Sequence, residues 1–174
     1  MTLEQEGSNI LSKKTQEIYQ NYSQIDTDGK LALLYFIYKE LGKSITPAAP
    51  NAADLNLTSS LIKEFFDLSD DEQLEIMRDI VNGKDTEYSH AYGGLSPNNQ
   101  LLVWYAWAQE MGKKVVDIPD NYKATEGVNQ ALSQIKKLEF EEQISLLRDI
   151  ASNMGYSQVK RVSSIDEVGI TPSL

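Results

Sequence analysis

The feature that most constrains the fold is an internal repeat with a period of 70 residues. Residues 31–43 align with residues 101–113, and in the same gapless register residues 71–80 align with residues 141–150. Over the 50 aligned pairs there are 12 identities. Most of them lie in two clusters, the Glu-x-Gly-Lys segments and the Glu-Gln-x-x-x-x-Arg-Asp-Ile segments. Chance matches would rarely cluster in this way, so we interpret the repeat as a duplication.

A single duplication favours one domain built from two similar halves. A solenoid would need about three or more repeats. We predict an N-terminal arm with a peripheral helix at 1–25, one helical domain at 26–160 and a C-terminal tail at 161–174. The halves of the domain lie near 26–90 and 96–160 and are joined by a linker at 92–97.

The first helix of each half is predicted to be buried. Residues 31–41 and 101–111 are apolar on almost every side, which is typical of a helix with no solvent-facing surface. Gly42 and Gly112 follow them and suit a left-handed C-cap. Ser96-Pro97 supplies an N-cap and an N1 proline ahead of the second of these helices.

The other predicted elements follow from capping signals and helical spacing of apolar residues. Ser69 and Glu72 form a capping box that opens a helix with apolar residues at helical spacing. The further predictions are helices at 10–22, 61–66, 128–135 and 142–154, extended loops at 44–54 and 114–124, and a frayed end at 163–174.

Composition excludes several classes of function. The net charge of −10 disfavours nucleic acid and anionic membranes as partners, and the absence of cysteine removes disulfides and thiolate chemistry. The N-terminus lacks a signal peptide, and the longest apolar run, 31–38, is too short to span a bilayer, so we expect a cytoplasmic protein without membrane insertion. The one histidine, His90, is predicted to be a surface residue in a loop, and the motifs do not support an enzyme.

Aromatic and methionine side chains are concentrated in and around the repeated helices. Such stripes are usually core, but a buried Trp or Tyr needs a partner for its polar atom. Two similar halves would also create a long apolar groove between them. Two interpretations therefore stay open, a binding site for a long apolar ligand and a packed scaffold without a ligand. The residues are Tyr35, Phe36, Tyr38, Met77, Trp104, Tyr105, Trp107, Met111, Ile118, Pro119 and Tyr122.

These residues also carry a resemblance to a known family. Residues 31–53, 96–98 with 104–105, 118–122, and 144–148 with 154–155 resemble the N-terminal helical domain of the orange carotenoid protein, in one register over about 26–160. The resemblance implies an all-α fold of two interleaved four-helix bundles with a keto-carotenoid between them, canthaxanthin, echinenone or a similar pigment. Without a C-terminal mixed α/β domain, the chain is similar to the stand-alone helical carotenoid proteins of cyanobacteria.

The resemblance also assigns roles by position. Tyr38 and Trp104 would bind the pigment ring, with Tyr35 and Tyr105 beside them. Arg148 matches a residue that in the family pairs with the C-terminal domain or faces the phycobilisome. The residues expected to line the polyene tunnel are Leu31, Leu34, Leu74, Met77, Ala108, Met111, Ile118, Tyr122, Ile144 and Ser145.

The function implied by the resemblance is photoprotection. We expect singlet-oxygen quenching by a non-covalently bound carotenoid, quenching of phycobilisome excitation as a second activity, and no light-driven switch. The implied partners are the carotenoid, the phycobilisome with an association to the thylakoid through it, and a separate C-terminal-domain homologue as pigment donor. The protein itself is expected to be a monomer. The alternative is a helical interaction or scaffold module without pigment.

Overall fold

The protein is built from helices. The computed structural model describes residues 12–45 and 60–157, and within these ranges the only β-pairing is an isolated bridge between Met111 and Val115. The prediction of an all-α fold is confirmed. The elements are α1 (Lys13–Ser23), α2 (Thr27–Ile45), a π-helical turn (Ser60–Glu64), α3 (Asp70–Asn82), α4 (Glu87–Gly93), α5 (Pro97–Gln109), α6 (Glu126–Lys136) and α7 (Phe140–Ser152).

Both predicted N-caps are present. The Ser69 hydroxyl accepts a hydrogen bond from Glu72 N at 3.2 Å, and Ser69 N donates to Glu72 Oε1 at 3.0 Å. The Ser96 hydroxyl accepts from Asn99 N at 3.2 Å, with Pro97 as the first residue of α5. Both motifs satisfy amide groups that a helix start leaves without an intrahelical partner, and they fix where α3 and α5 begin.

The predicted ends of the first helices are wrong. Helix α2 runs through Gly42 to Ile45. A glycine inside a helix costs only about 1 kcal/mol relative to alanine, so it does not by itself end a packed helix. Gly112 is left-handed, with φ of 83°, but α5 has already ended at Gln109. Gly112 instead serves a tight turn in which its N–H donates to Val115 O at 2.8 Å.

Helix α4 lies where a loop and a linker were predicted, so that prediction is wrong for His90 and Tyr92. The helix has no long apolar period and depends on the Thr86 hydroxyl, which accepts from Ser89 N at 3.1 Å. His90 is at the surface as expected, with Nε2 at 2.6 Å from Asp85 Oδ1.

The remaining predicted elements are close to the observed ones. Helix α1 covers most of the predicted 10–22, of which residues 10 and 11 lie outside the described ranges, and α7 begins two residues before the predicted start at 142. The segment 61–66 is a π-helical turn that passes into a short α-helical stretch. The loop at 114–124 is non-helical as predicted. The frayed end at 163–174 and most of the loop at 44–54 lie outside the described ranges, and the domain limits and the two-bundle arrangement stay predictions.

Helix α2 is central. It packs against α3, α5, α6 and α7, while α5 packs against α7 and the π-helical turn. One polar contact recurs at positions 70 residues apart: the side-chain amide Nε2 of Gln73 donates to Phe65 O at 3.0 Å, and that of Gln143 donates to Ile135 O at 3.0 Å. Both glutamines are buried. Among the described residues, no helix is both long enough and apolar enough to cross a bilayer.

Candidate ligand-binding site

Helix α5 carries a buried aromatic cluster. The Trp104 indole Nε1 donates to the Tyr92 hydroxyl at 2.8 Å, and that hydroxyl donates to Ala151 O at 2.7 Å. The Trp104 and Trp107 rings meet edge to face with centroids 5.0 Å apart, and Trp107 stacks on Phe65 at 4.2 Å. Each indole N–H is satisfied, since Trp107 Nε1 donates to the Leu61 carbonyl oxygen. Both tryptophans are therefore held in one orientation.

Tyr38 joins α2 to α5. Its hydroxyl donates to Leu101 O at 3.2 Å, and its ring meets Tyr105 edge to face with centroids 5.9 Å apart. Burial raises the pKa of Tyr38 far above the ordinary value, so the hydroxyl stays protonated and available as a donor. The Tyr105 hydroxyl accepts from Gln109 Nε2 at 2.8 Å.

A second row of rings runs along the more open side of α2. Tyr35 packs on Phe36 with centroids 5.6 Å apart, and Phe36 packs on Tyr122 at 6.5 Å. The Lys39 ammonium lies 5.8 Å from the centroid of the Tyr35 ring. Partial burial, with the nearby carboxylates of Asp26 and Asp28 as further causes, raises the pKa of Tyr122. This row is half-buried rather than sealed in the core.

The segment that carries Tyr122 is fixed by one glutamine of α3. Gln73 Nε2 donates to Lys114 O at 2.9 Å, and Gln73 Oε1 accepts from Val116 N at 2.8 Å. These bonds tie the non-helical chain after α5 to α3. Met111 and Ile118, two predicted site residues, lie just before and just after the tied residues.

The structure places the predicted site residues in three groups by exposure. Ser145 is exposed, so its side chain lies apart from the buried rings. The buried residues are Leu34, Tyr38, Met77 and Trp104. The half-buried ones are Leu31, Tyr35, Leu74, Tyr105, Ala108, Met111, Ile118, Tyr122 and Ile144. Most of the set is thus apolar or aromatic surface that the protein leaves partly uncovered.

Arg148 lies at the surface. Its Nε donates to Asn98 Oδ1 at 2.9 Å. One repeat earlier, Arg78 makes a two-bond ion pair with Asp28, with Nε to Oδ1 at 2.8 Å and a second guanidinium nitrogen to Oδ2 at 3.0 Å. The two arginines occupy corresponding positions, but only Arg78 is bonded to a carboxylate in these contacts.

Sequence reasoning missed Tyr92 and Gln73. Tyr92 was placed in a linker, although it lies one repeat after Tyr22, and both tyrosines are buried. Gln73 was seen as an identity of the repeat, and no contact was predicted for it. The signal for both is an identical residue 70 positions away, Tyr22 for Tyr92 and Gln143 for Gln73.

The fold and the site define an all-α protein with a half-buried aromatic and apolar surface. The chain belongs to the family described as "Orange carotenoid protein, N-terminal", whose sequence profile matches residues 8–157. The resemblance noted in the sequence is therefore confirmed.

Two curated relatives illustrate the match. The orange carotenoid-binding domain-containing protein of Nostoc sp. (strain PCC 7120) is 39% identical over 135 residues, 77% of this chain and 79% of that protein. The orange carotenoid-binding protein of Synechocystis sp. is 34% identical over 152 residues, 87% of this chain and 48% of that protein. The chain thus spans about half the length of the longer relative.

Solved structures agree in fold. The red carotenoid protein of Anabaena (Nostoc) sp. PCC 7120, which binds canthaxanthin, superposes with a TM-score of 0.71 at 34% identity over 82% of this chain and 99% of that chain. The orange carotenoid protein of the same organism, also with canthaxanthin, superposes with a TM-score of 0.78 at 26% identity over 89% of this chain and 51% of that chain.

Proposed function

We propose that this protein binds a keto-carotenoid non-covalently and protects against light damage by quenching singlet oxygen. The observation that carries the proposal is the half-buried aromatic and apolar set, in a chain similar to a solved protein that binds canthaxanthin. Canthaxanthin, echinenone or a related pigment would fit the same chemistry.

The side chains of the site fit an apolar, conjugated ligand. Tyr38 and Trp104 use their polar atoms within the protein, so they would offer ring faces and edges to a ligand. The half-buried aliphatic and methionine side chains would gain about 25 cal/mol for each Å² of apolar surface that a ligand covers. Methionine is soft and adaptable and packs well against flat conjugated surfaces.

The protein's part in this function is physical. A bound keto-carotenoid would supply a polyene whose triplet state lies below the energy of singlet oxygen, so that the energy leaves as heat. The helices would hold the pigment in one orientation and keep its apolar chain out of water. The proposal involves no covalent chemistry by the protein. The described residues contain no group of three His, Asp or Glu side chains placed to hold a metal ion.

The proposed partner surface centres on Arg148. The side chain is exposed and donates to a neutral amide, that of Asn98, which leaves its positive charge uncompensated in that contact. We propose this face for the phycobilisome, with a separate C-terminal-domain homologue as the donor that delivers the pigment to the monomeric protein.

Expression in a canthaxanthin-producing host tests the proposal. The purified protein should be orange to red, release the pigment into organic solvent, and shorten the lifetime of singlet oxygen in solution. Trp104→Phe should lower the pigment content and change the visible spectrum, because the ring proposed to contact the pigment is altered.

The matched control is Trp107→Phe. Trp107 lies on the same helix, is also buried and also loses an indole hydrogen bond, but it is not among the residues that the family resemblance assigns to the pigment. Equal pigment loss in both variants would contradict the assignment of the site. A colourless wild-type protein from that host would contradict the function and leave the scaffold interpretation.

A further inference from the structure

The Tyr92 hydroxyl lies where three helices meet. It belongs to α4, donates to Ala151 O in the last turn of α7 at 2.7 Å and accepts from Trp104 Nε1 of α5 at 2.8 Å. A hydroxyl has one proton to donate and two lone pairs to accept with. The donor is used on the carbonyl of α7, so the indole N–H must meet a lone pair, and its direction is fixed.

The Tyr92 ring cannot move to relax this arrangement. The side chain is fully buried, and its Cδ1 lies so close to Gly155 that a Cβ there would be 2.6 Å from it. On the backbone side, the Tyr92 carbonyl accepts from Gln100 Nε2 at 3.0 Å. Both ends of the residue are therefore held, and the hydroxyl is a fixed acceptor for the indole of Trp104.

We propose that Tyr92 is a positioning residue that sets the orientation of the Trp104 indole toward the pigment and so tunes the absorption of the bound carotenoid. This inference rests on the proposed function, in which Trp104 contacts the pigment ring. It adds a residue that need not touch the pigment and that acts through another side chain.

The first measurement needs no pigment. The chain has 2 tryptophans, so a nitrogen–proton NMR spectrum contains two indole N–H signals, which Trp107→Phe assigns. Tyr92→Phe should move the Trp104 signal to the position of an indole without a hydrogen bond. The Trp107 signal should stay in the hydrogen-bonded range, because its partner is the Leu61 carbonyl. An unmoved Trp104 signal would overturn the inference.

The second measurement uses canthaxanthin-loaded protein. Tyr92→Phe should change the absorption maximum and visible circular dichroism, and pigment loss should be about two- to tenfold faster, the factor that one net hydrogen bond represents. Tyr22→Phe is the control, since it removes a hydroxyl from another buried tyrosine, whose ring contacts Tyr19 and Lys30. Equal spectral changes in the two variants would count against Tyr92.

A double variant separates positioning from general loosening. If Tyr92 acts through Trp104, Tyr92→Phe should add no spectral change in a Trp104→Phe protein, and the same change in both backgrounds would refute the inference.

Should Tyr92→Phe not fold, the NMR spectrum of the wild-type protein tests the inference. The Trp104 indole signal should stay at a hydrogen-bonded position after pigment loading, and its loss from that position would refute the inference. A wild type that takes up no canthaxanthin refutes the proposed function and the pigment role of Tyr92 together, whereas a pigmented wild type with an unchanged Tyr92→Phe spectrum refutes the inference alone.

Discussion

Replacing Gln73 with leucine is expected to cost far more stability than replacing Gln143. The two glutamines lie at corresponding positions, and both donate to a backbone carbonyl eight residues earlier at 3.0 Å. Gln73 makes two further bonds, to Lys114 O at 2.9 Å and from Val116 N at 2.8 Å. In the described part of the chain, Gln143 makes no further side-chain bond. The pair thus isolates what the two additional bonds contribute.

The expected difference follows from the number of bonds. A hydrogen bond contributes about 1 kcal/mol net, and the leucine side chain satisfies none of the groups left behind. Gln73→Leu should therefore lower the free energy of unfolding by about 3 kcal/mol and Gln143→Leu by about 1 kcal/mol. The two side chains are almost equally buried, at 1% and 6% exposure, so the apolar gain from leucine is similar in both.

Urea unfolding followed by circular dichroism measures this difference. With a slope of about 2 kcal/mol per M, the midpoint of Gln73→Leu should lie about 1 M below that of Gln143→Leu. A slope shared by both variants is required for the comparison, because a changed slope signals a changed unfolded or native state. Midpoints that agree within error would refute the reasoning that the tie to the segment 114–116 stabilises the fold.

Two further predictions concern the C-terminal end of α7. Gly155→Ala should cost about 2–3 kcal/mol, because φ is 82° and the new Cβ would lie 2.6 Å from the Tyr92 ring. Gly94→Ala is its control, because φ is −83° and the new Cβ would meet His90 O at an ordinary 3.6 Å. Equal urea midpoints for the two variants would contradict the prediction. Burial disfavours the ionised carboxylate of Asp149 and raises its pKa above the ordinary value. The resulting cost to folding is absent below the unfolded pKa, where the carboxyl is neutral in both states, and is complete once the pH has risen through the folded pKa. Asp149→Asn should therefore stabilise the protein at about pH 7 and lose this advantage toward about pH 3, and a gain that is the same at both pH values would be evidence against it.

Helix starts could be predicted from sequence because their causes are local. The Ser69 capping box and the Ser96 cap each act over three residues, and both occur as expected. Helix ends were harder. Gly42 and Gly112 occupy corresponding positions, yet the first lies inside a helix and the second in a left-handed turn. That difference depends on the path of the chain after the glycine, and the residues immediately around the glycine do not determine that path.

The candidate site shows the same division between local and distant causes. Residue type and the family resemblance were enough to select Tyr38 and Trp104, and both are buried. Their hydrogen-bond partners were not predictable, because Leu101 O and the Tyr92 hydroxyl come close to them only when the helices pack together. Helix α4 was missed for a related reason: it has only 7 residues and no apolar period, so its capping residue is its main local signal.

Positions 70 residues apart share one buried glutamine contact and differ in a surface arginine contact. The glutamine bonds to Phe65 O and Ile135 O have the same length, so this buried contact recurs with the 70-residue period of the sequence. At the surface, Asp28 bonds Arg78 through both carboxylate oxygens, while Asn98 offers Arg148 a neutral amide. In these contacts the Arg78 guanidinium is paired with a carboxylate and the Arg148 guanidinium with a neutral amide. The proposed partner face at Arg148 would therefore offer an acidic group a positive charge that this contact leaves uncompensated.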